Sequence, residues 1–279
     1  MEWFEGRVAA ITGAASGIGR ALAVELARRH APLALADIDE SGLAQTVSAC
    51  EGFGVKVTAQ QLDVANRVDV FAWADQVVAD HGKVNLAINN AGVALGATID
   101  SMSYEDFVWL MDINFWGVVH GTQAFLPHLK AAGEGHIVNV SSVFGLISIP
   151  TQSAYNAAKF GVRGFTDALR IELEIERCGV SCTTVHPGGI KTNIARNARL
   201  HQSVAPFTGS IDDARRGFDA VARTTPERAA EVILAAVAKN KRRVLVGADA
   251  KFIDFISRLP AGLYQKVIVT GARLRQKYR

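Results

Sequence analysis

Tyr155 and Lys159 are a pair of residues whose types and spacing suit proton transfer. They lie four residues apart in a segment with a helical pattern, so they share one helical face and a single ligand can touch both. A free tyrosine has a pKa of about 10, which is too high for an efficient base near neutral pH. A neighbouring ammonium favours the tyrosinate and lowers that pKa. The pair is therefore a candidate for removing the proton of a hydroxyl group.

A glycine-rich turn near the start of the chain is a candidate phosphate site. Residues 12–19 read TGAASGIG, after a strand-like segment and before a helical pattern. The glycines allow a tight turn and leave no Cβ to obstruct a pyrophosphate, while the next helix offers unpaired N–H groups and its positive dipole end. The spacing, G-x-x-x-G-x-G, differs from the general dinucleotide fingerprint G-x-G-x-x-G. We expect phosphate contacts from Gly13, Ser16, Gly17, Ile18 and Gly19.

Asp37 ends the second predicted strand, eighteen residues after Gly19. In a dinucleotide-binding fold, a carboxylate at this point accepts hydrogen bonds from the adenosine ribose hydroxyls and repels a 2′-phosphate. Residues 13–19 and 36–39 contain no lysine or arginine, so the sequence favours NAD over NADP, with Ile38 in the same contact. Asp37 is also placed to cap the helix that starts near Asp39, and the two roles are compatible.

Two further strand ends carry small or polar residues. Asn89-Asn90-Ala91-Gly92 follows the fourth predicted strand and lets the backbone pass close to a cofactor, although read alone it is a strand-ending turn. Ser141 and Ser142 follow the fifth predicted strand and precede the helix that contains Tyr155.

Taken in order, these motifs resemble those of the single-domain short-chain dehydrogenases/reductases. The family's marks are T-G-x-x-x-G-x-G, N-N-A-G, a serine before Y-x-x-x-K, and P-G after the sixth strand, and all occur here between about residues 5 and 248. The resemblance implies that Tyr155 transfers a proton, that Lys159 binds the nicotinamide ribose and that Ser142 donates to the substrate oxygen. Ser141 is the weaker candidate for that last role. The resemblance also implies that Asn114 holds a water linking Lys159 to solvent.

The same resemblance supplies the remaining cofactor contacts. Asp63 and Val64, after the third strand, match the family's adenine contact, although Asp63 also suits the start of a turn. In the loop after the sixth strand, the Ile190 backbone and the Thr192 hydroxyl match groups that face the nicotinamide carboxamide, while Thr192 also suits a helix cap. The expected set further includes Asn90, Ala91, Gly92, Tyr155, Lys159, Pro187 and Gly188.

The elements that must position these residues alternate between strand and helix. We predict strands near residues 7–12, 33–37, 55–62, 84–89, 136–141, 180–186 and 243–246, each short and apolar as strands buried on both faces are. Helical patterns occupy residues 17–30, 40–51, 66–81, 104–131, 152–177 and 227–239. This alternation predicts an α/β fold in three layers, a doubly wound Rossmann fold with a mostly parallel sheet of about seven strands.

One domain accounts for most of the 279 residues, because a chain of this length can bury a single hydrophobic core. We assign residues 1–250 to an NAD-binding Rossmann domain with an integrated active site, in which residues 193–225 are predicted to form a mobile substrate loop. Residues 251–279 are a basic, amphipathic C-terminal extension with seven Lys or Arg and one Asp. We expect this extension to pack on its own domain or on a sister subunit, with peripheral membrane contact as the alternative.

Composition argues against several other classes of protein. No apolar run approaches the roughly 20 residues needed to cross a bilayer, and the acidic N-terminus lacks the basic start of a secretory signal. Cys50, Cys178 and Cys182 are expected to be reduced thiols, which favours a cytoplasmic location. The histidines show neither H-E-x-x-H nor H-x-x-E-H, so no metal site is predicted. The basic residues form no recognisable nucleic-acid-binding motif.

Together these features predict an oxidoreductase that interconverts an alcohol and a ketone or aldehyde by hydride transfer with NAD. An apolar substrate, steroid-, retinoid- or lipid-like, is favoured by the residues flanking the expected pocket, which are Val93, Leu95, Val143, Phe144, Leu146, Ile149 and Phe207. The alternatives are an NADPH-dependent ketoacyl-type reductase, which Asp37 disfavours, and a non-catalytic NAD-binding scaffold or sensor, which the complete catalytic set disfavours. The long helices 104–131 and 152–177 usually pack across subunit interfaces in this family, so the resemblance implies a homodimer or homotetramer.

Overall fold

Short strands and longer helices alternate in the computed structural model, which describes residues 3–260 and 262–277. The strands of this part of the chain are β1 (Ala9–Thr12), β2 (Leu33–Asp37), β3 (Val57–Gln61), β4 (Leu86–Asn89), β5 (Leu95–Gly96), β6 (Gly135–Val140), β7 (Val180–Pro187), β8 (Arg199–Leu200) and β9 (Arg243–Val246). The α-helices are α1 (Gly17–Arg28), α2 (Glu40–Glu51), α3 (Arg67–His81), α4 (Tyr104–Met111), α5 (Gly117–Ala131), α6 (Ser153–Glu176), α7 (Ala205–Thr208), α8 (Ile211–Val221), α9 (Pro226–Ala238), α10 (Ala248–Ser257) and α11 (Leu263–Lys277).

Seven of these strands form one parallel sheet in the order β3-β2-β1-β4-β6-β7-β9. The chain builds outward from β1 to β3 and then crosses to β4 on the other side of β1. The topological switch point, where folds of this kind bind ligands, therefore lies between β1 and β4. The predicted doubly wound Rossmann fold is confirmed.

Both faces of the sheet are covered, because alternate residues of each strand point to opposite sides. Leu33 and Leu35 of β2 pack on the face covered by α1, α2 and α9. Ala34 and Ala36 lie on the other face, beneath α3, α5 and α6, where bulky side chains such as Phe125 come from the helices. This double burial explains why the strands are apolar without the alternation of a half-exposed sheet.

The helix predicted over residues 104–131 is interrupted. A π-helical turn, Asp112–Trp116, separates α4 from α5, and in it the Gly117 N–H donates to the Asp112 carbonyl five residues back. Such a turn inserts one extra residue into the helix and often marks a functional site. The apolar pattern on either side continues through it, so the sequence does not reveal it.

Residues 193–225 contain regular elements that their weak periodicity does not predict. β8 pairs in parallel with β5, and α7 and α8 follow. The pairing of Leu95 with Arg199 ties the loop after β4 to this segment. The mobility of the segment stays a prediction.

The basic extension is helical on both sides of Pro260. The helix α10 begins at Ala248 and so runs through the predicted domain boundary at residue 250, and α11 follows from Leu263. Positions 261, 278 and 279 of the extension lie outside the described residues. Within residues 3–260 and 262–277, no helix combines the length and the apolar character needed to span a membrane.

Candidate active site

The predicted site residues gather at the carboxyl edge of the sheet. Because the carboxyl ends of parallel strands share an edge, the loops that follow β1, β2, β4, β6 and β7 meet there. Tyr155 and Lys159 come from α6, which packs against the 3₁₀ turn Val143–Gly145 that follows β6.

Tyr155 is half-buried between α6 and this turn. Its hydroxyl hydrogen-bonds to the Ser142 side chain, and the Phe144 ring meets the Tyr155 ring edge-on with centroids 6.0 Å apart. Burial raises the pKa of the Tyr155 hydroxyl to about 12, partly opposed by the hydrogen bond to Ser142. The free protein therefore holds Tyr155 protonated at neutral pH.

Lys159 lies one turn further along α6, with its Nζ atom 5.6 Å from the centroid of the Tyr155 ring. The amine donates to the Val140 carbonyl at 3.0 Å, and only 3% of the residue is exposed. Burial lowers the pKa of the Lys159 amine to about 8. The amine is therefore mostly charged at pH 7, and a modest rise in pH removes its charge.

The two neighbouring serines make different contacts. The Ser141 hydroxyl donates to the main-chain carbonyl of Lys159 at 2.8 Å, which uses its hydrogen. The Ser142 Oγ accepts from the Phe144 N–H at 3.1 Å and lies beside Tyr155. A hydroxyl that accepts one bond keeps its own hydrogen, so Ser142 can donate to Tyr155 or to a substrate oxygen.

His186 supports Ser142 from β7 and was not among the predicted residues. Its Nδ1 atom lies 2.8 Å from the Ser142 carbonyl oxygen, a contact that requires the proton on Nδ1. Burial lowers the pKa of His186 to about 4, so the ring is neutral at physiological pH. The only sequence signal for this residue is its position directly before the P-G pair.

Asn114, in the π-helical turn, is fully buried and hydrogen-bonds to the loop after β4. Its side chain accepts from the Val93 N–H and donates to the Val93 carbonyl, each at 2.8 Å. A Cβ on Gly92 would stand 3.2 Å from Asn114 Oδ1 and 3.7 Å from Lys159 Nζ. Glycine at this position therefore keeps the space between Asn114 and Lys159 clear.

The glycine-rich turn has a backbone that only glycine adopts easily. Gly13 and Gly17 have φ angles of +68° and +53°, and a Cβ on Gly13 would stand 2.8 Å from the Ala91 Cα atom. Ser16 makes no side-chain cap for α1, whose first turn has no acidic residue. The first N–H groups of α1, at Gly17, Ile18 and Gly19, therefore point at a site suited to a phosphate.

Asn90 fastens the glycine-rich turn to the end of β4. Its side-chain amide donates to the Thr12 and Gly13 carbonyls at 3.0 and 3.1 Å. The main-chain N–H groups of Asn90 and Ala91 donate to the Thr12 hydroxyl at 3.1 and 3.2 Å. These contacts fix the width of the crevice at the switch point.

Asp37 is oriented by the backbone around it. One carboxylate oxygen accepts from the Ala15 N–H at 2.8 Å and the other from the Asp39 N–H at 3.0 Å. The cap of α2 is Asp39, which accepts from the Gly42 N–H at 3.0 Å. The alternative role of Asp37 as that cap is therefore wrong.

Ile38, predicted beside the ribose, and Asp63 and Val64, predicted to contact adenine, follow the neighbouring strands β2 and β3. Ile38 is largely exposed. Asp63 is also exposed, and its carboxylate accepts from the Ala65 N–H at 2.9 Å, so it does start a turn. Val64 is buried, and its carbonyl lies 3.1 Å from His120 Nδ1.

The loop after β7 reaches back to the glycine-rich turn. A Cβ on Gly17 would meet the Thr192 side chain at 3.0 Å, so Thr192 lies against α1. Ile190 is buried and pairs with Thr224. The next helical turn begins only at Gln202 and is capped by His201, so the alternative role of Thr192 as a helix cap is wrong.

Asp249, from the first turn of α10, holds this loop in place and was not predicted. Its carboxylate accepts from the Gly189 N–H at 2.6 Å. A Cβ on Gly188 would stand 2.1 Å from the same carboxylate, so a side chain there would displace Asp249 from this contact. Gly188 and Gly189 thus pass next to the first turn of α10.

The residues present fit a nicotinamide dinucleotide. The uncapped start of α1 suits a pyrophosphate, the oriented Asp37 carboxylate suits a ribose, and Lys159 beside Gly92 suits the nicotinamide end. Across residues 3–260 and 262–277, no group of three or more His, Cys, Asp or Glu side chains is arranged to hold a metal ion.

Comparisons with known proteins agree on one family. Residues 7–203 match the family model described as short chain dehydrogenase. The putative oxidoreductase SadH of Mycobacterium tuberculosis is 50% identical over 271 residues, 97% of each chain. Estradiol 17-beta-dehydrogenase 11 of Macaca fascicularis is 38% identical over 197 residues, 69% of this chain and 64% of that protein. The crystal structure of a short-chain dehydrogenase/reductase from Burkholderia phymatum in complex with NAD has a TM-score of 0.80 at 32% identity, covering 99% of this chain and 95% of that one.

Proposed function

The chain belongs to the short-chain dehydrogenase family of oxidoreductases, and we propose that it interconverts an alcohol and a ketone or aldehyde with NAD as its cofactor. The observation that carries this proposal is the convergence of Ser142, Tyr155 and Lys159 beside the crevice at the switch point.

Tyr155 is the proposed proton-transfer group. Its pKa of about 12 is too high for a base at neutral pH, and the charged Lys159 amine near its ring favours the tyrosinate. When bound, NAD supplies the oxidised nicotinamide ring that takes the hydride, and its positive charge acts in the same direction. Tyr155 then takes the alcohol's hydroxyl proton in oxidation and returns it to the carbonyl oxygen in reduction.

Ser142 and Asn114 are proposed to assist at either end of this proton path. Ser142 keeps its hydroxyl hydrogen and donates it to the substrate oxygen, where negative charge develops. The Asn114 amide is bonded to Val93 at both ends, and each end retains one further hydrogen-bonding position. Through that position Asn114 holds a water beside Lys159, in the space that Gly92 leaves clear.

NAD rather than NADP is proposed because of the charges around Asp37, although solved neighbours hold NAD or an NADP derivative. The Asp37 carboxylate repels a 2′-phosphate. The guanidinium of Arg20, which follows the glycine-rich turn, donates hydrogen bonds to the Thr46 hydroxyl and the Gly42 carbonyl, each at 3.0 Å. The same guanidinium also donates to the Ala15 carbonyl, so these contacts occupy its N–H groups.

An apolar substrate is proposed from the lining near Tyr155. Leu95, Val143 and Leu146 are buried in this region, and Phe144 contacts the Tyr155 ring. The named substrate of the macaque relative, estradiol, is a steroid alcohol. Steroid-, retinoid- or lipid-like alcohols are therefore the proposed class.

We also propose an oligomeric state and a cellular location for the protein. Exposed apolar side chains on α4 and α6, including Phe107, Phe160 and Ile171, support pairing into a homodimer or homotetramer. The free thiols of Cys50, Cys178 and Cys182 support a reducing, cytoplasmic location.

Substitution of Tyr155 tests the reaction. A panel of steroid, retinoid and aliphatic alcohols is assayed with NAD by the absorbance of the reduced cofactor. We expect Tyr155→Phe to lower kcat/KM for the best alcohol by about 10³-fold, the typical contribution of general acid–base catalysis, with NADH affinity within about threefold of the wild type. Tyr104→Phe, at an exposed tyrosine on α4, is the matched control. Turnover of Tyr155→Phe within tenfold of the control would reject the proposal.

A further inference from the structure

We propose that α10 and α11 form a surface that docks on an anionic lipid bilayer, next to the opening of the active site. The proposal starts from apolar side chains that face outward on both helices. On α10, Phe252 and Phe255 are each 64% exposed, and Leu259 just beyond the helix is also exposed. Their spacing of three and four residues places them on one face.

The opposite face of α10 is the one that packs on the protein. Ala250 and Asp254 are buried there, and α10 contacts β9 and the 3₁₀ turn Val143–Gly145. The outward phenylalanines are therefore not needed for the attachment of the helix to the fold.

The helix α11 continues the exposed apolar surface. Leu263, Val267 and Val269 are exposed, whereas Tyr264 is half-buried and its hydroxyl lies 3.5 Å from the Ser148 N–H. The helix also contacts α7, which carries the exposed Phe207. The helix α11 thus lies against the loop that contains Ser148 and carries exposed apolar side chains beside this contact.

The charges of the extension suit an anionic partner. Residues 251–279 carry seven Lys or Arg and one Asp, and that aspartate, Asp254, is turned inward against Arg243 and Arg258, each at 3.1 Å. Lys251, Lys266 and Arg273 are exposed on the same two helices as the apolar side chains. Outward Phe and Val with Lys and Arg alongside is the composition of helices that lie in a membrane interface.

A bilayer fits this surface better than a second copy of the chain. Two such extensions facing each other would each bring a net charge of +6, from seven basic residues and one acidic residue, and like charges at contact repel. An anionic lipid surface attracts the same charges, by about 1 kcal/mol for each Lys or Arg near it.

The surface lies where docking would bring the bilayer close to the active site. Ser148 follows the 3₁₀ turn Val143–Gly145, whose Phe144 contacts the Tyr155 ring, and α11 touches this loop through Tyr264. An apolar alcohol dissolved in the bilayer would therefore reach the site without crossing water. This last step rests on the proposed function, whereas the docking itself does not.

Sedimentation with lipid vesicles tests the proposal. The full chain is mixed with vesicles of phosphatidylcholine alone or with one-third phosphatidylglycerol. We expect binding to the anionic vesicles, at least tenfold weaker binding to the neutral ones, and loss of binding in 1 M salt, where charges are screened within about 3 Å. The triple variant F252S/F255S/V267S should reduce binding at least tenfold.

Val68→Ser is the matched control, because Val68 on α3 is 72% exposed and Val267 is 66% exposed. It should bind vesicles like the wild type. Equal binding to neutral and anionic vesicles, or unchanged binding of the triple variant, would overturn the proposal. So would a fall in molecular mass of the triple variant in solution, which would assign the surface to a second copy. Turnover of the best alcohol of the panel, assayed without vesicles, should be unchanged in the triple variant, and absence of turnover of every alcohol of the panel by the wild type would count against the proposed function alone.

Discussion

Burial of Lys159 disfavours its charged form, although the proposed reaction needs that charge to favour the Tyr155 tyrosinate. Its amine lies beside the Tyr155 ring and donates to Val140, and its pKa is lowered by burial from 10.5 to about 8. Between about pH 8 and pH 10.5, Lys159 therefore holds its proton more in the unfolded chain than in the folded chain. The contribution of Lys159 to the stability of the folded chain should rise with pH across that window.

Lys159→Met removes this titration and keeps an unbranched side chain. Between its folded pKa of about 8 and pH 9.5, the wild type gains about 1.36 kcal/mol of stability for each pH unit, or about 2 kcal/mol in all. Lys159→Met does not gain this stability. The stability of the variant minus that of the wild type should therefore be about 2 kcal/mol higher at pH 7 than at pH 9.5. Tyr155, whose pKa is raised by burial to about 12, is present in both proteins, so its contribution is expected to cancel in this comparison. Urea unfolding at the two pH values gives the comparison.

The exposed Lys239 provides the control for that measurement. Lys239→Met should show the same stability difference from the wild type at both pH values. If Lys159→Met also shows no change between pH 7 and pH 9.5, the buried amine does not have the lowered pKa.

Single residues could be predicted where they belong to a local motif. Tyr155 and Lys159 stand one helical turn apart, and Asp37 stands at a strand end after the glycine-rich turn, so spacing alone brings them to the site. His186 and Asp249 act through contacts with Ser142 and Gly189, 44 and 60 positions away. No local spacing encodes such contacts, and the sequence analysis missed both residues.

At the scale of elements, α10 links the C-terminal extension to the loop after β7. Asp249 in its first turn accepts from the Gly189 N–H at 2.6 Å. We expect Asp249→Ala to raise the Kd for NADH roughly tenfold, because it leaves a main-chain donor without its charged acceptor and frees the loop. Fluorescence titration with NADH measures the effect.

Asp249→Asn separates the hydrogen bond from the charge. The amide oxygen can still accept from Gly189, so this variant should bind NADH within about threefold of the wild type. Wild-type affinity in Asp249→Ala would show that α10 does not hold the loop.

Helices and strands could be predicted where burial produces a regular pattern of apolar residues along the sequence. The strands of the sheet are apolar on both faces, and their positions agree with the prediction to within a few residues. The π-helical turn at Asn114 adds one residue inside an otherwise regular helix, and a helical period does not show such an insertion. The strand β8 is only two residues long and is defined by its pairing with β5. Such a pairing joins distant parts of the chain, so a local sequence pattern does not predict it.

At the scale of the whole molecule, one edge of one sheet brings the parts together. The turns after β1 and β2 suit the phosphate and ribose of a dinucleotide, α6 and the turn after β6 carry the proposed proton-transfer group, and α10 supports the loop after β7. The helix α10, which holds this loop through Asp249, also carries part of the proposed membrane surface. The proposed cofactor site and the proposed membrane surface therefore share the helix α10.

Paired fluorescence titrations of the intact protein with NADH and NADPH test most directly whether this edge is an NAD site. We expect the Kd for NADH to be at least about tenfold lower than that for NADPH, because the Asp37 carboxylate repels a 2′-phosphate. Asp37→Ala should narrow that preference. A Kd for NADPH equal to or below that for NADH would contradict the assignment, and binding of neither would contradict the cofactor site itself.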